Sequence, residues 1–138
     1  MKVIIAGGRD FNNYELLKEF CDNILNDNDH EIVSGNAKGA DKLGERYSTE
    51  RNLKLTLFPA DWNKYGKSAG MIRNKQMAEY GDMLIAFWDQ KSRGTKNMID
   101  TAKKLNLIVT VCKTMIAQRL AGTANDCNIT YGANSLVR

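Results

Sequence analysis

One pattern repeats along this chain and limits what it can fold into: a short, nearly continuous apolar run, a glycine-bearing or polar bend, then a segment of helix length. Residues 3 to 6, "VIIA", stop at Gly7-Gly8 and lead into "YELLKEFCDNIL", where Leu16, Leu17, Phe20, Ile24 and Leu25 fall at helical spacing. The order recurs in "EIVSG" before "GADKLGERYSTER", in "LKLTLFPA" before "SAGMIRNKQMAEYG", and in "DMLIAFW" before "GTKNMIDTAKKL"; "LIVTVCK" supplies a fifth strand. Strands apolar on both faces and separated by helices imply right-handed crossovers and a parallel sheet covered on both sides. The expected fold is α/β, a Rossmann-like three-layer sandwich with a five-stranded parallel sheet, followed by an irregular C-terminal tail.

The 138 residues, 43% of them hydrophobic, suffice for one core without disulfides or a structural metal. The expected domain runs over 1–113. Beyond it "TMIAQRLAG" can form a short helix, while "TANDCNITYGANSLVR" has little apolar periodicity; residues 114–138 are expected to pack on the domain or on a neighbouring subunit of a homo-oligomer. Cys21, Cys112 and Cys127 are widely spaced and form no C-x-x-C pair, which points to a reducing compartment, the cytoplasm, with Cys21 and Cys112 in the core. No apolar run approaches the roughly 20 residues needed to span a bilayer, and the N-terminus turns polar too soon for a secretory signal, so no membrane partner is expected. The net charge of +4 favours anionic partners, a small phosphorylated molecule ahead of nucleic acid. A single histidine and the lack of clustered ligands argue against zinc, and no cofactor is expected; magnesium bridging ligand phosphates to Asp10 or Asp41 stays open.

Ligands of open parallel sheets bind beyond the carboxyl ends of the strands, so the strand-to-helix junctions are the places to search. The first, "AGGRDFNN", offers Gly7, Gly8 and Arg9 ahead of a helix N-terminus, with Asp10 or Asn12 as the cap. The second, "SGNAKGAD", has neither dinucleotide-fingerprint nor P-loop spacing; Ser34, Gly35, Lys38 and Gly39 can surround an anion, and Asp41 is either a cap or an acceptor for a ribose hydroxyl. The third carries Trp62, Lys64, Tyr65 and Lys67 on a long loop, Trp62 serving either as a base platform or as a core lid. Gly70, Arg73, Asn74 and Met77 then share one helix face. The fourth, "DQKSRGTKN", brings Ser92, Gly94 and Thr95 to a helix start with flanking cations, the best single candidate for a phosphate. Four such junctions at one end of one sheet outweigh the alternative of four ordinary turns.

In that order, "GGRDF", "SGNAKGADKLGERYS", "ADWNKYGKSAGMIRNKQM" and "YGDMLIAFWD" resemble the YspA/YpsA-related branch of the SLOG superfamily over roughly residues 1 to 112. The superfamily is similar to the Lonely-guy phosphoribohydrolases, to the DNA-processing protein DprA, and to sensor domains that bind ADP-ribose-derived signals. The resemblance implies a Rossmann-like nucleotide pocket and an oligomer. The hydrolases carry "R-K-x-x-M" on a helix and "P-G-G-x-G-T-x-x-E" on a loop; Arg73, Met77, Gly94 and Thr95 match, but the glutamate position holds Met98 and the prolyl-diglycyl portion is absent. Without that carboxylate, binding of a nucleotide or ADP-ribose-type ligand for sensing or sequestration is the expected function. An N-glycoside hydrolase using a relocated Asp10, Asp41 or Asp89 is the alternative, and single-stranded nucleic acid binding the third. Asp100 should face away from the site, and His30 should lie at the opposite end of the sheet.

Overall fold

The computed structural model describes residues 1–26, 29–114 and 129–131. Strand β1 (Lys2–Gly7) is followed by helix α1 (Tyr14–Ile24), β2 (Glu31–Ser34), α2 (Ala40–Glu50), β3 (Lys54–Leu57) and a one-turn α3 (Trp62–Tyr65). A 3-10 turn (Gly66–Ser68) then leads into α4 (Ala69–Tyr80), β4 (Met83–Trp88), α5 (Arg93–Lys104) and β5 (Ile108–Lys113). Ile129–Tyr131 forms β6. The strand order is β3-β2-β1-β4-β5-β6. The first five strands are parallel, as expected, and β6 adds an antiparallel pairing, with Val109 opposite Tyr131. Cys127 and most of the segment expected as a short helix after Lys113 lie outside the described residues.

Strand alternation splits the core into two layers. Val3 and Ile5 of β1, Ile32 of β2, and Met83, Ile85 and Phe87 of β4 pack with Leu16, Leu17 and Phe20 of α1 and Tyr47 of α2. Ile4 and Ala6, Val33, and Leu84 and Ala86 point the other way, against Met77 and Ala78 of α4 and Met98, Ile99 and Ala102 of α5. Each large apolar side chain buried in this way contributes about 1.5–3 kcal/mol. Cys21 and Cys112 are buried in the first layer. Among the described residues no helix is long and apolar enough to cross a membrane.

Helix starts follow local chemistry with one correction. Helix α1 is capped by Asn13, whose side chain accepts from the Leu16 amide at 3.1 Å, rather than by Asp10 or Asn12. The helix begins at Tyr14, so only residue 13 stands where a short polar side chain can reach the third amide. Trp62–Tyr65, expected as loop, makes a single turn because the Asp61 side chain accepts from the Lys64 amide at 3.1 Å.

Candidate functional site

The chain runs from β1 outward to β2 and β3, then returns to the other side of β1 to lay down β4 and β5. Connections therefore diverge between β1 and β4, and a crevice opens beyond their carboxyl ends, the switch point at which open α/β sheets take ligands. A cleft of about 540 Å³ occupies that place. Small-molecule sites span roughly 300–1,000 Å³. Its floor includes Ala6 and Gly7 at the end of β1, with Met77 and Met98 from the two helices behind. Gly8, Arg9 and Asp10 form one side, Asp41 stands at the start of α2, and Trp62, Lys67 and Met71 edge the cleft ahead of Gly70, Arg73 and Asn74. Asp89, Lys91, Ser92, Gly94 and Thr95 close the opposite side.

The first two bends are keyed into one another. The Gly8 amide donates to the Phe87 carbonyl at 3.2 Å, and the Gly8 carbonyl accepts from both Phe11 and Ala40 amides at 3.2 Å. Gly39 sits at φ +78°, where a side chain is strained, and a Cβ there would lie 2.2 Å from the Gly8 carbonyl oxygen. A Cβ on Gly8 would meet nothing within 4 Å, so ligand atoms can approach this stretch of backbone.

Arg73, Asn74 and Asp41 form the polar heart of the cleft. Arg73 donates through Nη1 to the Gly35 carbonyl and through Nε to Asn74 Oδ1 at 3.0 Å. Buried Asn74 in turn donates through Nδ2 to the Gly94 carbonyl at 3.3 Å and to Asn97 Oδ1 at 3.0 Å, bridging α4 to the start of α5. Partial burial pulls the Arg73 pKa down, opposed by the Asp41 carboxylate. Asp41 is 5% exposed, and its Oδ2 accepts from the Ala37 amide at 3.1 Å. Burial pushes its pKa up to about 6, against the pull of that hydrogen bond and of Arg73. The N-cap of α2 is Gly39, so Asp41 acts backward on its own loop and is not the cap.

At the β4–α5 bend the donors expected for an anion are partly committed. The Asp89 carboxylate accepts from the amides of Ser92 at 2.7 Å and Lys91 at 2.8 Å, and these bonds, Ser92 foremost, hold its pKa below the usual carboxylate range. Ser92 Oγ accepts from the Thr95 amide at 3.4 Å as the N-cap and lies 3.0 Å from Thr95 Oγ1. A Cβ on Gly94 would meet nothing within 4 Å, which leaves that part of the helix start open.

Of the residues expected at the site, Gly7, Gly8, Arg9, Asp41, Trp62, Arg73, Asn74, Ser92, Gly94 and Thr95 line the cleft. Ser34, Gly35, Lys38 and Gly39 do not. The Ser34 hydroxyl is fully buried, donates to Glu45 at 2.7 Å and accepts from the Asn36 amide at 3.0 Å, so it shapes its loop instead of facing a ligand. Gly35 supports Arg73, Gly39 supports Gly8, and Lys38 is exposed. Trp62 is 50% exposed, a rim residue and not a core lid. Asp100 faces away, as expected, and pairs with Lys96 at 2.8 Å. Phe11, Ala37, Met71 and Thr114 join the cleft without having been singled out by motif; Met71 follows Gly70 directly, and only its exposure hints at a role.

Residues 1–65 match the family described as YspA, cpYpsA-related SLOG. The chain is also 34% identical over 84 residues to the Gene 61 protein of Mycobacterium phage D29, covering 56% of this chain and 67% of that protein. This chain belongs to the YspA, cpYpsA-related SLOG family. The matched stretch of this SLOG domain holds β1 to β3 and the Gly8, Arg9 and Asp41 side of the cleft, while the Arg73 and Gly94 side lies past it. Met98, which stands where the related hydrolases carry a glutamate, is 1% exposed and packs in the apolar layer beneath α4 and α5.

Proposed function

We propose that this SLOG domain binds a nucleotide or nucleotide-derived ligand of the ADP-ribose type, for sensing or sequestration. The observation that carries this reading is Arg73: its guanidinium lines the switch-point cleft and is held at Nε and Nη1. A guanidinium has five N–H donors, so three remain for an anion. The cleft's cations, Arg9, Lys67, Arg73 and Lys91, outnumber its carboxylates, Asp10, Asp41 and Asp89, by four to three, and two of those carboxylates, Asp41 and Asp89, accept amides of their own loops. Gly8 and Gly94 leave backbone open on either side for a phosphate or ribose to approach. The rim indole of Trp62 offers a face on which a base can stack. Titration calorimetry with ribonucleoside monophosphates and ADP-ribose tests the reading. Charged hydrogen bonds to phosphate are worth about 1.5–3 kcal/mol, so Arg73→Ala should weaken binding at least tenfold. Unchanged affinity would remove Arg73 from the site.

A second reading, hydrolysis of an N-glycosidic bond, is favoured by Asp41, a carboxylate in the cleft with a pKa of about 6, near the range useful to a general acid or base. Incubation with nucleoside monophosphates and NAD, followed by chromatography for released base, separates it from binding alone.

A further inference from the structure

Three carboxylates line the cleft, and they differ in what they have left to offer. Asp10 is exposed to solvent. Asp89 is only half-buried and takes the amides of Lys91 and Ser92 at Oδ1. Asp41 is buried except where it lines the cleft, and it takes one amide hydrogen bond, from Ala37, at Oδ2. Its cationic neighbour Arg73 is already bonded to the Gly35 carbonyl and to Asn74, and Lys42, the next residue on α2, turns to Asn36 and Glu45. A largely buried carboxylate facing the cleft with acceptor capacity to spare repels phosphate oxygens and ring carbonyls alike and favours a donor on the ligand. On a nucleotide the neutral donors are the sugar hydroxyls and the N–H groups of the base, and a ribose places two hydroxyls side by side.

We infer that Asp41 is the specificity-determining acceptor for the ribose hydroxyls of the ligand, so the cleft discriminates ribonucleotides from their deoxy counterparts. This rests on the nucleotide reading above and adds the sugar to it. Arg73 then serves the anionic part of the ligand and Asp41 the uncharged part, a division that accounts for two opposite charges in one small cleft. A site built to accept a hydroxyl penalises an analogue lacking it, because the buried acceptor stays unpaired.

The test is calorimetry of the native protein with ribonucleoside monophosphates and with their 2′,3′-dideoxy counterparts, repeated on Asp41→Asn, which keeps the shape of the side chain and an oxygen for the Ala37 amide. The native protein should prefer the ribonucleotide at least tenfold. In Asp41→Asn that ratio should shrink severalfold, chiefly through weaker ribonucleotide binding. Equal affinity of the native protein for both forms overturns the inference and leaves the nucleotide reading intact, without relying on any variant. A loss of affinity in Asp41→Asn equal for both forms assigns Asp41 a structural role only and also overturns it. Failure of every nucleotide to bind at millimolar concentration removes both readings together.

Discussion

Arg73 reaches across from α4 to donate a hydrogen bond to the backbone carbonyl of Gly35, tying a helix from the second half of the chain to the bend after β2. A Cβ on Gly35 would lie 2.5 Å from Arg73 Nη1 and 2.8 Å from Asp41 Oδ2. Gly35→Ala should therefore displace both charged groups at once. Nucleotide affinity should fall about as far as in Arg73→Ala, tenfold or more, with a stability loss of roughly 1–3 kcal/mol from overpacking. Calorimetry and urea unfolding read the two effects separately.

Asn74→Ala removes the amide that joins Arg73, Gly94 and Asn97. Buried partners left unsatisfied cost about 1–3 kcal/mol, so the urea midpoint should drop clearly, and hydrogen exchange at the first turn of α5 should quicken. Unaltered exchange there would show that α5 is held independently of α4.

The Asp41 pKa, raised by burial to about 6, makes native stability depend on pH. Between about pH 4 and pH 6 the folded protein keeps a proton on Asp41 that the unfolded chain has lost, so this group's contribution is full at low pH and is withdrawn as pH rises through 6. Asp41→Asn carries no such penalty. It should match the native protein near pH 4 and exceed it above pH 7 by on the order of 3 kcal/mol, since each pKa unit corresponds to about 1.4 kcal/mol. Urea unfolding across that range checks both the sign and the window.

Asp89 behaves oppositely. Its pKa is held low by amide hydrogen bonds from Ser92 and Lys91, so it stabilises the folded state above the ordinary carboxylate range and ceases to do so as pH falls through its lowered value. Asp89→Ala should be less stable than the native protein at pH 7 by about 1 kcal/mol, comparable to the loss of a helix cap, and the difference should shrink in acid. A difference that persists unchanged in acid would mean that the carboxylate charge is not the cause.

The sheet was legible because parallel strands buried on both faces spell themselves as apolar runs: β1, β2, β4 and β5 fall within a residue of "VIIA" and its successors, while β3 stops at Leu57, three residues before the end of "LKLTLFPA". The shared face of Gly70, Arg73, Asn74 and Met77 was equally readable, since helical spacing alone puts those residues on one wall, and all four line the cleft. Pairings across the fold were not. Nothing local tells Arg73 to bond a carbonyl 38 residues away, or Asn74 to bridge to Gly94. The same blindness misplaced Ser34: a hydroxyl beside glycine signals a bend, but whether it faces a ligand depends on whether Glu45 has already engaged it. The turn at Trp62–Tyr65 is too short to show a period, and β6 has only three residues.

The interlock of Gly39 with the Gly8 carbonyl leaves the two bends no freedom to change one at a time. Bulk added at Gly39 must be met by retreat of the Gly8–Arg9 backbone, so the two bends should drift in concert, while Trp62, Lys67 and Met71 at the edge face no such restriction. Divergence in what this domain recognises should accumulate along that edge, and attempts to redirect it by directed evolution have their widest latitude there.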